Sequence, residues 1–480
     1  MQGYFKSQNQ DVVVFDAFYR ENPCGGGYAI ACGLEQVIDY IKNLQFSADD
    51  IRYLQSLNMF DEDFLKYLST FRFSGSIYAI PEGTVIFPRE PFIKVVAPIM
   101  EAQLVETAIL NIMNHQSLIA TKAARVCYAA QNDGVMEFGL RRAQGPDSGI
   151  YGARAAVIGG CCGTSNVLAG QIFNIPVKGT HAHSWIMSFP DEYTAFKTYA
   201  ELYPDACILL VDTYDTLKSG IPNAIRVFRE MKEAGVELHN YGIRMDSGDL
   251  AYLSKKVRKM LDEAGFPDAI ISASNDLDEY LIETLKIQGA KITSWGVGTS
   301  LITSRDCPAF GGVYKLAAIR NVDGKFTPKI KLSENTEKVT NPGNKEIYRI
   351  YDKETGKIRA DLICLSDETF DENEDMDFFM PSEGTNIWCD SMCIPTNAEN
   401  PLLAHEFINY ILTYDASYDN SITVGYASTN DEVLNEIAEN EYAENAAYLP
   451  RDGYDKDEVF EDNETMRQKL SQLWLKVKAQ

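Results

Sequence analysis

The stretch "ACILLVDTYDTLKSGIPNAIRVFREMKEAG" (206–235) decides the fold class. Its first part reads as a buried strand that ends in acids at Asp212 and Asp215. The amphipathic helix "IPNAIRVFREMKEAG" follows. The same alternation then repeats. "LHNYGIRMDSGD" (238–249) is strand-like and "LAYLSKKVRKMLDEAG" (250–265) is helical. Strand "AIISASND" (269–276), helix "LDEYLIETLKIQG" (277–289) and strand "KITSWGVGTSL" (291–301) complete the series. Units recurring every roughly 20–35 residues have the spacing of βα units on a parallel sheet. An α/β fold built on a β/α barrel is the expectation.

In such a barrel the carboxyl ends of the strands form the active-site face. Polar residues and glycines cluster at those ends here. Asp212, Arg244, Asp246, Ser274, Asn275, Gly298 and Thr299 are expected to look into one mouth. The plainer explanation for Asp and Ser is that they cap the next helix, and for Ser274 and Asn275 the two explanations stand level. A cap does not need arginine, and the planar fork of Arg244 suits a carboxylate or phosphate. "GVGTS" (296–300) offers backbone N–H groups of the kind that hold a phosphate. "EFGLRRAQGPDSG" (137–149) sets Arg141 and Arg142 beside Phe138. That aromatic ring can stack a flat ligand while a guanidinium pairs an anion, although paired arginines are more often a solvated face. "GTHAHSW" (179–185) holds His181 and His183, two of only 5 histidines.

Outside this region the patterns differ. "VVVFDAF" near the start is strand-like. Residues 75–98, "GSIYAIPEGTVIFPREPFIKVVAP", alternate apolar residues with Pro/Gly turns and predict antiparallel strands. Residues 97–130 have helical periodicity without internal Pro or Gly, so one long helix or two are expected there. The composition is 45% hydrophobic and 24% charged, ordinary for a globular chain of two or three domains. A net charge of −25 repels nucleic acid and anionic lipid, so neither is an expected partner. The 10 cysteines form no C-x-x-C pair. With no secretory signal ahead of them they read as reduced thiols of a cytoplasmic protein. Cys161-Cys162 and Cys389/Cys393 are expected to be buried thiols rather than metal ligands. No uncharged apolar run has the roughly 18 residues a membrane span needs.

"FDAFYRENPCGGGYAI", "PEGTVIFPREP", "EFGLRRAQGPDSG", "GGCCGTSNVLAG", "GTHAHSW" and "RMDSGD" occur in this order. In that order they resemble the nicotinate phosphoribosyltransferase family, over about residues 1–365. The resemblance implies a type II phosphoribosyltransferase-like irregular β/α barrel, or funnel, with a strand-rich N-terminal domain. It implies the joining of nicotinate to phosphoribosyl pyrophosphate, coupled to ATP hydrolysis and requiring Mg²⁺. A homodimer with active sites at the subunit interface is also implied.

Roles follow position by position from the resemblance. His183 matches the histidine that ATP phosphorylates, and an imidazole nitrogen is a competent phosphoryl acceptor. His181 is not demanded by the family pattern and is expected to be a neutral histidine satisfied in a turn. Arg244 resembles the arginine that pairs the nicotinate carboxylate, Phe138 the ring that stacks the pyridine, and Thr180 lies beside the same pocket. Arg141 and Arg305 resemble pyrophosphate or phosphate ligands, and Asp246 the acceptor of a ribose hydroxyl. Ser274, Asn275, Gly298 and Thr299 resemble the 5′-phosphate cradle. Related nicotinamide enzymes carry aspartate at the position of Ser165, where a carboxylate would repel nicotinate, so Ser165 favours the acid. The Mg²⁺ ligands are not assigned.

Two departures from the family pattern are expected to matter. The family usually opens with a "DLYxLTM"-like segment before "xQGYF", and its tyrosine covers the other face of the ring from the neighbouring subunit. This sequence starts at Met1-Gln2-Gly3-Tyr4-Phe5, so weaker nicotinate binding is expected, even a catalytically silent relative. At the other end, the acidic run "DETFDENEDMD" (367–377) precedes a stretch that resembles the C-terminal part of periplasmic spermidine/putrescine-binding proteins. There Trp388 and Asp390 match a ligand-lining tryptophan and an ammonium-pairing aspartate, which suit a polyamine. The domains expected are a strand-rich 1–105, a barrel 106–330, a return to the first domain over 331–371, and a polyamine-binding-protein-like α/β fragment over 372–480.

Overall fold

"VVVFDAFY" forms strand β1 (Val12–Tyr19), and every residue but Val12 is buried. In the computed structural model, residues 1–331, 338–353, 355–366 and 368 are described, with 386–387, 408–424, 428, 430–440 and 458–459 of the tail. The chain divides into two units, Met1–Ser366 and Asp367–Gln480. The 75–98 stretch forms β2 (Ser76–Ala79) and β3 (Ile93–Pro98), which pair antiparallel as expected. The 97–130 stretch is a short helix, Ile99–Leu104, followed by the long α1 (Glu106–Ala130).

The barrel region then alternates. In chain order come β4 (Gly134–Glu137), α2 (Pro146–Ile158), β5 (Gly163–Thr164), α3 (Val167–Phe173) and the single-turn α4 (His183–Met187). Next are β6 (Cys207–Leu210), α5 (Ile221–Glu233), β7 (Tyr241–Met245), α6 (Leu250–Glu263), β8 (Ile270–Ala273), α7 (Glu279–Ile287), β9 (Ser294–Val297) and α8 (Thr299–Ile302). Finally β10 (Gly312–Arg320) and β11 (Phe326–Pro328) return beside β1 in the sheet β11-β10-β1-β3-β2, and β12 (Lys345–Tyr351) and β13 (Ile358–Leu365) form an antiparallel hairpin.

Strands β5-β4-β9-β8-β7-β6 make one sheet, parallel throughout, a curled half-barrel. The helices are amphipathic for the reason the sequence suggests. Along α5, Ile221, Ala224, Ile225, Val227, Phe228 and Met231 are buried, a stripe at 3.6-residue spacing. Phe228 meets the rings of Tyr241 and Phe266 at 5.1 and 5.7 Å, so one helix is fixed against a strand and the loop after α6. Burying such a side chain contributes about 1.5–3 kcal/mol.

The β12–β13 hairpin docks on the N-terminal sheet through charges. Asp16, in the middle of β1, meets Lys345 Nζ at 2.6 Å, and both side chains are buried. Lys345 Nζ also donates to the carbonyls of Asn341 and Gly343. Lys94 of β3 donates to the Lys345 carbonyl and the Glu346 carboxylate, each at 2.8 Å. A buried acid in a hydrophobic strand is tolerated because its counter-charge arrives from the far end of the unit.

A second acid at this contact should be pH-responsive. Burial, then a hydrogen bond with Asp361, pushes the Glu90 carboxyl up to about 7. Arg349, bonded twice to Asp361 at 2.8 and 2.5 Å, holds Asp361 low instead. A carboxyl raised above its unfolded value of 4.5 contributes stability that is full below that value and lost as pH climbs through about 7. Asp361 acts in the opposite sense and only at more acidic pH. Urea unfolding at pH 5.5 and 7.5 should therefore show the parent losing on the order of 1 kcal/mol more than Glu90→Gln across that window. Identical slopes would remove Glu90 from the account.

In the second unit, the described residues include the helices Tyr414–Val424 and Asp431–Glu439, with Val433 and Ile437 buried. A two-residue parallel pairing joins Asn386–Ile387 to Glu458–Val459. These pieces give no support to the periplasmic-binding-protein fragment expected there, and Trp388 and Asp390 lie outside the described residues. Among the described residues no helix is long and apolar enough to cross a membrane.

Candidate active site

Every strand-end residue named from sequence sits at the carboxyl end of the parallel sheet. Phe138 follows β4, Ser165 follows β5, Arg244 and Asp246 lie at the end of β7, Ser274 and Asn275 follow β8, and Gly298 and Thr299 follow β9. A chain of polar contacts runs across this mouth. The Asp246 carboxylate accepts from the Ser274 hydroxyl. The Asp246 backbone N–H donates to Asp212 Oδ2 at 2.8 Å, as does the Ser247 hydroxyl at 2.6 Å. Asp212 Oδ1 is buried without a hydrogen bond and faces His183 Nε2 at 3.7 Å. His183 opens α4 and its side chain is partly exposed. Sequence alone places Asp212 in the mouth but gives it no role. The structure makes it the carboxylate beside the candidate nucleophile.

The other histidine of the motif does different work. Parallel bridging between Thr164 and Val177 extends the β5 edge. The chain then runs to the opposite edge, where His181 Nε2 accepts the Leu210 backbone N–H of β6 at 3.2 Å. "GTHAHSW" thus links the two open edges of the half-barrel. His181 is buried, packs edge-on against Tyr199 at 4.6 Å, and is pushed down to about 4 by burial, so it stays neutral. The neutral histidine expected from sequence is there, but it is satisfied at one nitrogen only, because Nδ1 is buried without a hydrogen-bond partner. His181→Leu should cost about 1–3 kcal/mol, because the buried Leu210 N–H loses its acceptor. Chemical denaturation measures it, and an unchanged midpoint would show that water or another group replaces the imidazole.

His181 and Thr180 also set Arg244. The guanidinium donates to Thr180 Oγ1 and, at 3.3 Å, to the His181 carbonyl. Arg244 Nε is buried and unpaired. Burial pulls the Arg244 pKa down, and Asp246 and Asp212 oppose the shift. The ring of Phe138 lies across Gly296, where an added Cβ would come within 2.7 Å of it, so only glycine permits that seat. The Phe138 N–H is tied to the Val297 carbonyl at 2.8 Å. Asn275 holds φ at 121°, a costly backbone for a residue with a side chain, next to the buried Ser274. Thr299 begins α8 behind Gly298. Arg141, in the 3-10 turn Leu140–Arg142, and Arg305, in the turn after α8, are exposed, with no ion-pair partner among the described residues. Ser165 is exposed beside the buried Thr164. Three or more metal-ligating side chains do not gather anywhere among the described residues.

Family models match along the chain. The nicotinate phosphoribosyltransferase N-terminal domain covers residues 1–114, the nicotinate phosphoribosyltransferase family model 134–357, and its C-terminal domain 344–407. The last match runs past residue 372, where the sequence suggested a break, and includes Trp388 and Asp390. Nicotinate phosphoribosyltransferase of Bacillus subtilis is 54% identical over 368 residues, covering 77% of this chain and 74% of that protein. A Mycobacterium tuberculosis nicotinate phosphoribosyltransferase is 43% identical over 72% of this chain and 73% of its own length. The crystal structure of human nicotinic acid phosphoribosyltransferase superposes with a TM-score of 0.66 at 29% identity, over 77% of this chain and 80% of that one. The chain belongs to the nicotinate phosphoribosyltransferase family.

Proposed function

We propose that this chain makes nicotinate mononucleotide and pyrophosphate from nicotinate and phosphoribosyl pyrophosphate in NAD salvage, with ATP as co-substrate. The observation that carries this is the convergence of Arg244, Phe138, Asp246 and His183 at one sheet end. The pyridine ring lies on Phe138 and its carboxylate pairs with Arg244. Ser274, Asn275, Gly298 and Thr299 take the 5′-phosphate, Arg141 and Arg305 the pyrophosphate, and Asp246 accepts from a ribose hydroxyl. The ring nitrogen attacks the ribose C1 and the bond to pyrophosphate breaks. The His183 imidazole takes the terminal phosphoryl group of ATP, releasing ADP, and water later cleaves the P–N bond to release phosphate, with Asp212 orienting the imidazole.

Mg²⁺ fits this site. The donor set is a pair of carboxylates at one mouth: Asp246, which accepts from Ser274, would hold the ion, and Asp212, which receives the Asp246 N–H, stands beside it. Mg²⁺ is ordinarily held by one or two carboxylates plus substrate phosphates, so a dedicated cage is not required. When bound it would neutralise charge developing on the leaving pyrophosphate.

A homodimer in the cytoplasm completes the proposal. Val167, Leu168 and Ile172 of α3 are exposed, as is Val177, which packs over Gly170 of the same helix. This apolar patch lies next to Ser165, and patches of that kind are covered by partners. A polyamine-binding module in the tail is not carried further, because Trp388 and Asp390 fall within the family match. The test is mononucleotide formation from nicotinate and phosphoribosyl pyrophosphate with and without ATP and Mg²⁺. Absence of product under all four conditions would refute the function.

A further inference from the structure

Glu137 closes β4 and is fully buried, yet no lysine or arginine pairs with it among the described residues. Its carboxylate is satisfied by the two strand ends that border the ring pocket. One oxygen accepts the backbone N–H of Gly139, just beyond Phe138. The other accepts the hydroxyl of Thr164 at 2.6 Å, just before Ser165. The Thr164 oxygen in turn accepts the Asn166 N–H at 3.0 Å. The Glu137 carbonyl accepts the Ser165 N–H, also at 3.0 Å. Glu137 and Thr164 are direct register partners across β4 and β5. Burial raises the carboxyl pKa, and the two donors oppose the shift. A carboxylate buried without a cation is costly, and an apolar residue would suit the inside of a strand better. The hydrogen bonds explain why an acid stands here: both oxygens act as acceptors for two separate loops.

We propose that Glu137 is a positioning residue that fixes the spacing between Phe138 and Ser165 and thereby sets affinity for the aromatic acid. The inference rests on the assignment of Phe138 and Ser165 to the nicotinate pocket. Glutamine at 137 keeps one acceptor, for the Gly139 N–H, and its amide nitrogen meets Thr164 only if that hydroxyl turns from donor to acceptor while still holding the Asn166 N–H, which weakens the link. Valine at 164 keeps the shape and removes the hydroxyl. Serine at 164 keeps the hydroxyl.

Steady-state kinetics with each substrate varied in turn test the idea. Glu137→Gln and Thr164→Val should each raise the KM for nicotinate about tenfold, with the KM for phosphoribosyl pyrophosphate within about twofold of the parent. The double variant should be no worse than the poorer single one, because both changes break the same link. Thr164→Ser should return close to the parent. Equal rises in both KM values, additive losses, or an unchanged nicotinate KM would overturn the proposal. Should Glu137→Gln fail to fold, the Thr164 pair decides alone. Arg244→Ala runs alongside. If it raises the nicotinate KM while the Glu137 and Thr164 variants do not, only the positioning role fails. If it too leaves that KM unchanged, the pocket assignment fails and the proposal falls with it.

Discussion

His183→Ala is expected to uncouple ATP hydrolysis from product formation, leaving slow turnover that no longer responds to ATP. The side chain stands at the start of a helical turn, partly exposed, with a buried carboxylate oxygen 3.7 Å from Nε2. That oxygen has no hydrogen bond of its own, while its twin is held by the Asp246 N–H and the Ser247 hydroxyl. The carboxylate is thus fixed in place before any ligand arrives, and the imidazole is the group it faces. Such a pairing orients an imidazole and stabilises the positive charge that forms when one nitrogen is phosphorylated. Asp212→Asn should keep the shape and lose the charge, so it should slow ATP hydrolysis without abolishing it. His181→Ala should leave coupling intact, because its nitrogen is committed to Leu210. The measurement is phosphate released from ATP per mononucleotide formed. A His183→Ala enzyme that still hydrolyses ATP in step with product would refute the assignment.

The contrast between the two histidines shows what sequence can and cannot tell. Apolar runs at strand period and amphipathic helices, such as 207–210 followed by 221–233, announce the βα units because the buried face must be continuous. The strand ends follow, so Arg244, Asp246 and Ser274 fall into one mouth by counting. What sequence leaves out is the pairing of distant atoms. Nothing local to "GTHAHSW" says that His181 will meet the amide of Leu210 across an open sheet edge. Nor does "EFG" announce that Glu137 will reach Thr164, although strand alternation turns it inward. Arg141 and Arg305 illustrate the opposite case. Their side chains are exposed and meet no ion-pair partner among the described residues, so their assignment rests on the family pattern. The tail differs again. Sequence likeness suggested a break at 372, whereas the family's own C-terminal domain continues to 407.

Arg244→Ala is expected to raise the nicotinate KM about ten- to a hundredfold, the equivalent of losing a hydrogen bond to a charged group worth roughly 1.5–3 kcal/mol. The guanidinium is held on one side by Thr180 and the His181 carbonyl, which leaves it little freedom to lose when a carboxylate binds. Its Nε is buried and unpaired, so the site already carries a donor without an acceptor. In the proposed reading, the nicotinate carboxylate is the anion that this held guanidinium pairs with. Nicotinamide is neutral and brings N–H donors of its own, which meet nothing useful at a guanidinium. In the same reading, Ser165 adds the second half of the discrimination. Its side chain is exposed at the end of β5, where a carboxylate would repel the acid and accept from an amide. Ser165→Asp should therefore weaken nicotinate use, and turnover of nicotinamide should rise relative to the parent. Both changes are read as kcat/KM for the two substrates in each variant. If Ser165→Asp leaves the preference for nicotinate as it was, residue 165 does not face the ring substituent, and Arg244 alone selects the acid.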